Sequence, residues 1–240
     1  SGEDTVFAND NVFIGTLSGE INRQGNRNVF IGSLAGQSNR GDGNVFLGAQ
    51  TGQRSEGKEN VFIGTQAGQS NHPGSYNVFL GHQTGQENQG NYNIFLGYRA
   101  GRKNIGDSNI ILGINIEKNQ GSNNVFLGST SETTLDGSTG SSNTILGVGA
   151  GVNNNGSLNT FIGVNSGKDN TIGNANTFLG ADAGLSNLKG NSNVFVGPFA
   201  GARNTDGNNN VFLGTRAGES NINANDNVFL GTEAGQSNES

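Results

Sequence analysis

His72 and His82 are the only histidines in this 240-residue chain, and cysteine, methionine and tryptophan are absent. A histidine-based triad or zinc site therefore has little to draw on, and thiolate ligands, disulfides and cysteine nucleophiles are removed outright. Serines and aspartates fall in turn-like stretches without a nucleophile elbow, and carboxylates such as Asp206 and Asp226 sit at variable positions. The glycines recur as turns rather than as a Walker or dinucleotide motif, and no aspartate column recurs as a calcium-binding roll requires. No catalytic activity, metal or cofactor is expected. A β-helix acyltransferase-like enzyme is the least favoured reading.

One cluster could bind rather than react. The three tyrosines, Tyr76, Tyr92 and Tyr98, lie with both histidines between residues 72 and 98, and Arg99, Arg102 and Lys103 follow closely. Rigid aromatic groups offer contact area at low entropy cost, and basic groups add polar contacts. Tyr76, His82, Tyr92, Tyr98 and Arg99 are thus a candidate ligand-binding ridge for a glycan or a protein. The competing reading is drift at solvent-facing positions of a scaffold.

The elements that would position this ridge are written as an internal repeat. Gly supplies 42 residues and Asn 40 of the 240. A unit beginning Asn-Val-Phe-Ile/Leu-Gly starts at Asn11, Asn28, Asn44, Asn60, Asn77, Asn93 and Asn109, and again at Asn124, Asn143, Asn159, Asn176, Asn193, Asn210 and Asn227. The spacing runs from 15 to 19 residues. A Gly follows each Asn by four positions, and a second follows by eight except at Glu117 and Glu132. Asn often returns after eleven. Short runs of β-branched and aromatic residues bounded by Asn and Gly are strands. Each unit reads as one solenoid coil: a strong strand, a Gly turn, a weaker second strand around Ala-Gly, and a return turn. Gly and Asn suit the turns because they accept positive φ. About fourteen coils span residues 11–240 as a single repeat domain, with 1–10 as a degenerate cap. The stretch from about 114 to 142 is irregular, and Ser129 to Ser142 reads as a projecting loop or a tolerated insertion.

Both faces of the strong strand are apolar. One carries Phe13, Phe30, Phe46, Phe62, Phe79 and Phe95; the other carries Val29 with Ile31, Val45 with Leu47, then Leu80 and Leu96. A strand apolar on both faces requires burial on both, and a two-walled coil buries one. The uncovered stripe exceeds what a monomer exposes, so a homo-oligomer is expected, with a stripe facing its axis. The pattern leaves open which stripe that is. The adopted reading places Phe inside, opposite the Ala column, and Val with Ile/Leu at the axis. A three-walled hexapeptide helix would hide both stripes, but its six-residue beat is missing.

The pattern Asn-Val-Phe-Ile-Gly…Ala-Gly…Asn…Gly of Asn28 to Gly41 resembles the head repeats of YadA-like trimeric autotransporter adhesins and related bacterial or phage fibres. The resemblance covers about residues 11 to 240. It implies an all-β, left-handed parallel β-roll, three rolls packed side by side, and an extracellular fibre that displays surface for attachment. The chain departs from the pattern in carrying Phe where the family often has a small residue, and in its longer repeats. The implied partners are two further copies of itself and a glycan or surface protein of a target cell. The implied location is a bacterial cell surface or a phage tail fibre.

Charge and hydropathy agree with this. The net charge of −6 disfavours a nucleic-acid binder, and no apolar run approaches the roughly 18 residues of a membrane span. The chain opens on Ser1 without a signal-like run and reads as a fragment or mature segment. An ice-binding β-solenoid is the alternative, because some such rolls use a similar Asn-x-Val-x-Gly repeat. The column after the strand Gly, Thr16, Ser33, Ala49, Thr65, His82 and Tyr98, is too mixed for its regular hydroxyl array.

Overall fold

The computed structural model describes residues 9–116, 119–129 and 139–237. The chain divides into two compact units, Ser1–Asn119 and Gln120–Ser240. The division falls within the irregular stretch. Glu117, Glu132, most of the anticipated loop and nearly all of the N-terminal cap lie outside the described residues.

Each unit is a parallel β-solenoid, and no helix occurs among the described residues. The first contains β1 (Val12–Ile14), β2 (Val29–Ile31), β3 (Val45–Leu47), β4 (Val61–Ile63), β5 (Val78–Leu80), β6 (Ile94–Leu96) and β7 (Ile110–Ile114). The second contains β8 (Val125–Ser129), β9 (Thr144–Leu146), β10 (Thr160–Ile162), β11 (Thr177–Leu179), β12 (Val194–Val196), β13 (Val211–Leu213) and β14 (Val228–Leu230). Within each unit every strand pairs in parallel with the next, one turn of chain later. That amounts to about twelve turns, six per unit. The register sets like on like, as in Val29↔Val45, Phe30↔Phe46 and Ile31↔Leu47.

The second residue of each strand points inward. Phe30, Phe46, Phe62, Phe79 and Phe95 are fully buried, and Phe13 partly so. Their rings stack at 4.7–5.0 Å. Ala35, Ala67 and Ala100 are buried with them, so Phe is the interior stripe and the Ala column lies in the same core. Two glycine columns make this possible. A Cβ on Gly15 would stand 2.6 Å from the carbonyl oxygen of Gly32 in the next coil, and one on Gly218 would stand 2.5 Å from the Phe212 ring. Both glycines hold positive φ, +130° and +56°. The first column lets coils touch backbone to backbone, and the second vacates the volume that Phe fills.

Two expectations require correction. The Ala-Gly stretch is not a second strand. It is a succession of turns, in which Ala35 N–H donates to Gly32 O (3.2 Å) and Asn39 N–H to Gly36 O (3.1 Å), with only intermittent bonds to the next coil, such as Gly36 N–H to Thr51 O (2.9 Å). Local turn bonds curve the wall, so no extended run forms. Nor is the strict Asn column kept for positive φ. Asn28, Asn44, Asn60, Asn77 and Asn93 are fully buried and have no left-handed backbone. Each forms a rung of a ladder: Asn28 Oδ1 accepts the Asn44 N–H (2.8 Å), while Asn28 Nδ2 donates to Gly41 O (3.0 Å). A buried amide is tolerable only when it is paired in this way. The positive-φ positions instead carry varied residues, among them Arg27, Glu59, Tyr76 and Tyr92.

Candidate interaction surface

The outer residues of each strand face away from the core. Val45 and Leu47, Val78 and Leu80, and Ile94 and Leu96 are exposed on β3, β5 and β6; Val29 and Ile31 on β2 are half-buried. The first unit thus displays a stripe two aliphatic side chains wide. The second unit repeats it through Leu127, Leu146, Leu179 and Leu213.

The aromatic residues lie at the two ends of β5 and β6 and not in one row. Tyr76 and Tyr92 each stand two residues before a strand and stack at 5.0 Å with planes 3° apart. His82 and Tyr98 each follow the strand glycine and stack at 5.6 Å, 6° apart. Coil-on-coil register creates both stacks, because equivalent positions repeat at about 4.8 Å. Arg99 lies over Tyr98 at 5.0 Å, and Lys58 over Tyr76 at 5.7 Å. Cation–π attraction of this kind holds each cation against its ring.

Stacking also decides which ring surfaces a ligand could meet. Tyr76 and Tyr92 turn one face towards each other, and Lys58 occupies the far side of Tyr76. The far side of Tyr92 looks towards Ser108, the small residue at the same position one coil on. Tyr92 is 60% exposed, against 41% for Tyr76 and Tyr98. Of the three tyrosines, Tyr92 therefore offers the most accessible face.

Sequence reading missed two amide ladders on the turn wall. Gln66 Nε2 donates to Gln50 (2.8 Å), Gln83 to Gln66 (2.8 Å), and Arg99 Nε to Gln83 Oε1 (2.9 Å). In the other, Gln37 donates to Glu20 (2.6 Å), and Gln53, Gln69 and Gln86 follow in turn, ending where Arg102 Nε donates to Gln86 (2.9 Å). Each ladder is polarised, every amide donating towards the N-terminal coil, and a guanidinium that can only donate closes the end. Arg99 therefore serves both a ladder and the aromatic column. Aligning the repeats by column would have exposed this signal.

His72 belongs to a different arrangement. Its Nε2 lies 2.9 Å from Glu56, whose other oxygen is 2.7 Å from Arg40. Among the described residues no serine or threonine hydroxyl bonds to either histidine, and no group of three His, Cys, Asp or Glu could hold a metal. Among the described residues no helix is long and apolar enough to cross a membrane. Comparison with family models, curated proteins and solved structures finds no match to this chain.

Proposed function

We propose that this chain is a structural and adhesive segment of an extracellular trimeric fibre, in which three left-handed rolls pack side by side along their aliphatic stripes. The observation that carries the reading is that stripe. Every described strand presents an aliphatic third residue outward; Leu47, Leu80 and Leu96 stand exposed in the first unit, and Leu127, Leu146, Leu179 and Leu213 in the second. Scattered exposed leucines need no partner, but a contiguous stripe marks an interaction surface. Covering one such side chain contributes about 1–2 kcal/mol, so a partner along several coils gains enough to hold.

A second copy is the fitting occupant because the stripe is repetitive and carries no charged side chain at its strand positions. A cyclic assembly presents one face of every chain to one axis. The resemblance to YadA-like head repeats supplies the number three, the handedness and the surface location. In this reading the fibre's work is to space and display surface, and the tyrosine columns are its candidate contact with a glycan or surface protein. Three copies would present each column three times, so weak sites would gain avidity on a multivalent target. Sedimentation equilibrium tests the assembly, and a glycan array probed with the assembled protein tests the adhesion.

A further inference from the structure

The stripe departs from its aliphatic pattern at three consecutive strands of the second unit. The first residues of β9, β10 and β11 are Thr144, Thr160 and Thr177, paired directly across the sheet. Val125 and Val194 flank them on the neighbouring strands. At the first and third positions of all other strands the residues are Val, Ile or Leu. Among the described residues these three hydroxyls make no hydrogen bond within the chain, whereas those of Thr171 and Thr205 donate to Leu188 O (2.7 Å) and Ile222 O (3.2 Å).

We propose that Thr144, Thr160 and Thr177 set the axial register in which copies of this chain pack together, an inference that rests on the self-association proposed above. A repetitive aliphatic stripe has a registration problem. Sliding one copy by one coil, about 4.8 Å, exchanges Val for Val and Leu for Leu, so several registers are nearly equal in energy. A hydroxyl breaks that degeneracy. Buried against a partner's Val it loses its water and gains no bond; against another hydroxyl it can both donate and accept. The strand positions of the stripe carry no other hydroxyls, so the partner that satisfies all three is the same run in a second copy at the same height. A slip of one coil leaves one threonine of each copy unpaired, and a slip of two leaves two. Polar residues in an apolar seam fix coiled-coil register by the same physics.

The chain has no cysteine, so cross-linking reads the register directly. Leu213→Cys and Val196→Cys place a thiol one coil apart in the third column of β13 and β12. Mixed, co-refolded and oxidised, these two variants should join at like sites over unlike sites by about tenfold, the discrimination expected of one lost hydroxyl–hydroxyl pair. In a Thr144→Val, Thr160→Val, Thr177→Val background the preference should collapse while the sedimenting mass is unchanged. A second pair keeps the test independent of that triple variant. Val125→Thr with Thr177→Val moves the run by one coil, so its Val196→Cys form should join preferentially to Leu213→Cys in chains with the original run. An unaltered like-site preference in both backgrounds would overturn the proposal and leave self-association standing. A monomer in sedimentation would overturn both.

Discussion

The α-carbon of Gly218 lies against the ring of Phe212, so close that a methyl group there would stand 2.5 Å from the ring carbon Cδ2. Phe212 is fully buried and stacks on Phe195 and Phe229 at 4.8 and 4.9 Å. The ring cannot retreat along the stack. Gly218→Ala should therefore destabilise by about 2–4 kcal/mol, combining overpacking with the cost of a positive φ. Combining it with Phe212→Leu should recover the steric part and leave the conformational part. Denaturation of the two single variants and the double variant measures that coupling; simple additivity would show that the glycine serves only its backbone angle.

The Asn ladder gives a pH-dependent prediction. Asn44 accepts from Asn60 N–H (2.9 Å) and donates through Nδ2 to Gly57 O (3.0 Å), fully buried. In Asn44→Asp the oxygen replacing Nδ2 would face that carbonyl as an uncompensated buried charge. The variant should lose about 3 kcal/mol or more at neutral pH. Burial and the facing carbonyl raise the folded-state carboxyl above its unfolded value, so the folded state binds more protons and stability falls as pH rises. The deficit relative to the parent should shrink on acidification through the carboxylate range. Urea titrations across pH check the sign, and a deficit that grows with acid would refute the ladder assignment.

Much of this was legible in the residues. The Asn-to-Asn spacing located the fourteen strands of the described residues, whereas the Ala column favoured Phe as the interior stripe without deciding it. The roles of the buried asparagines were not legible, because Asn is equally common in turns and its pairing depends on a neighbour 16 or 17 residues away. The turn wall was misread as a strand, since Ala-Gly pairs carry no periodicity that separates the two. Tyr76 and Tyr92 each precede a unit Asn, and His82 and Tyr98 each follow a strand Gly, so both columns were legible in the residues. The consumption of ring faces by stacking was not, because it depends on side-chain orientation.

Adhesion should depend on Tyr92 more than on Tyr76. Tyr92→Ala should remove most binding to an arrayed glycan, and the Tyr76→Ala, Tyr92→Ala double variant should abolish it with Tm nearly unchanged. Unchanged binding would return both residues to scaffold drift. A large fall in Tm would place them in a contact between chains.

Charge placed on the stripe should be far more damaging than charge on a turn. Leu96 and Gln89 are both exposed in the isolated chain, so a monomer would tolerate Leu96→Asp and Gln89→Asp alike. In an assembly that buries the stripe, Leu96→Asp should dissociate the chains, and Gln89→Asp should change stability by no more than about 0.5 kcal/mol.

The most direct measurement is sedimentation equilibrium of the unmodified 24.7 kDa chain. A single species of three times that mass across the concentration range is the predicted result. A stable, soluble monomer with its aliphatic stripe open to water would contradict the proposed fibre.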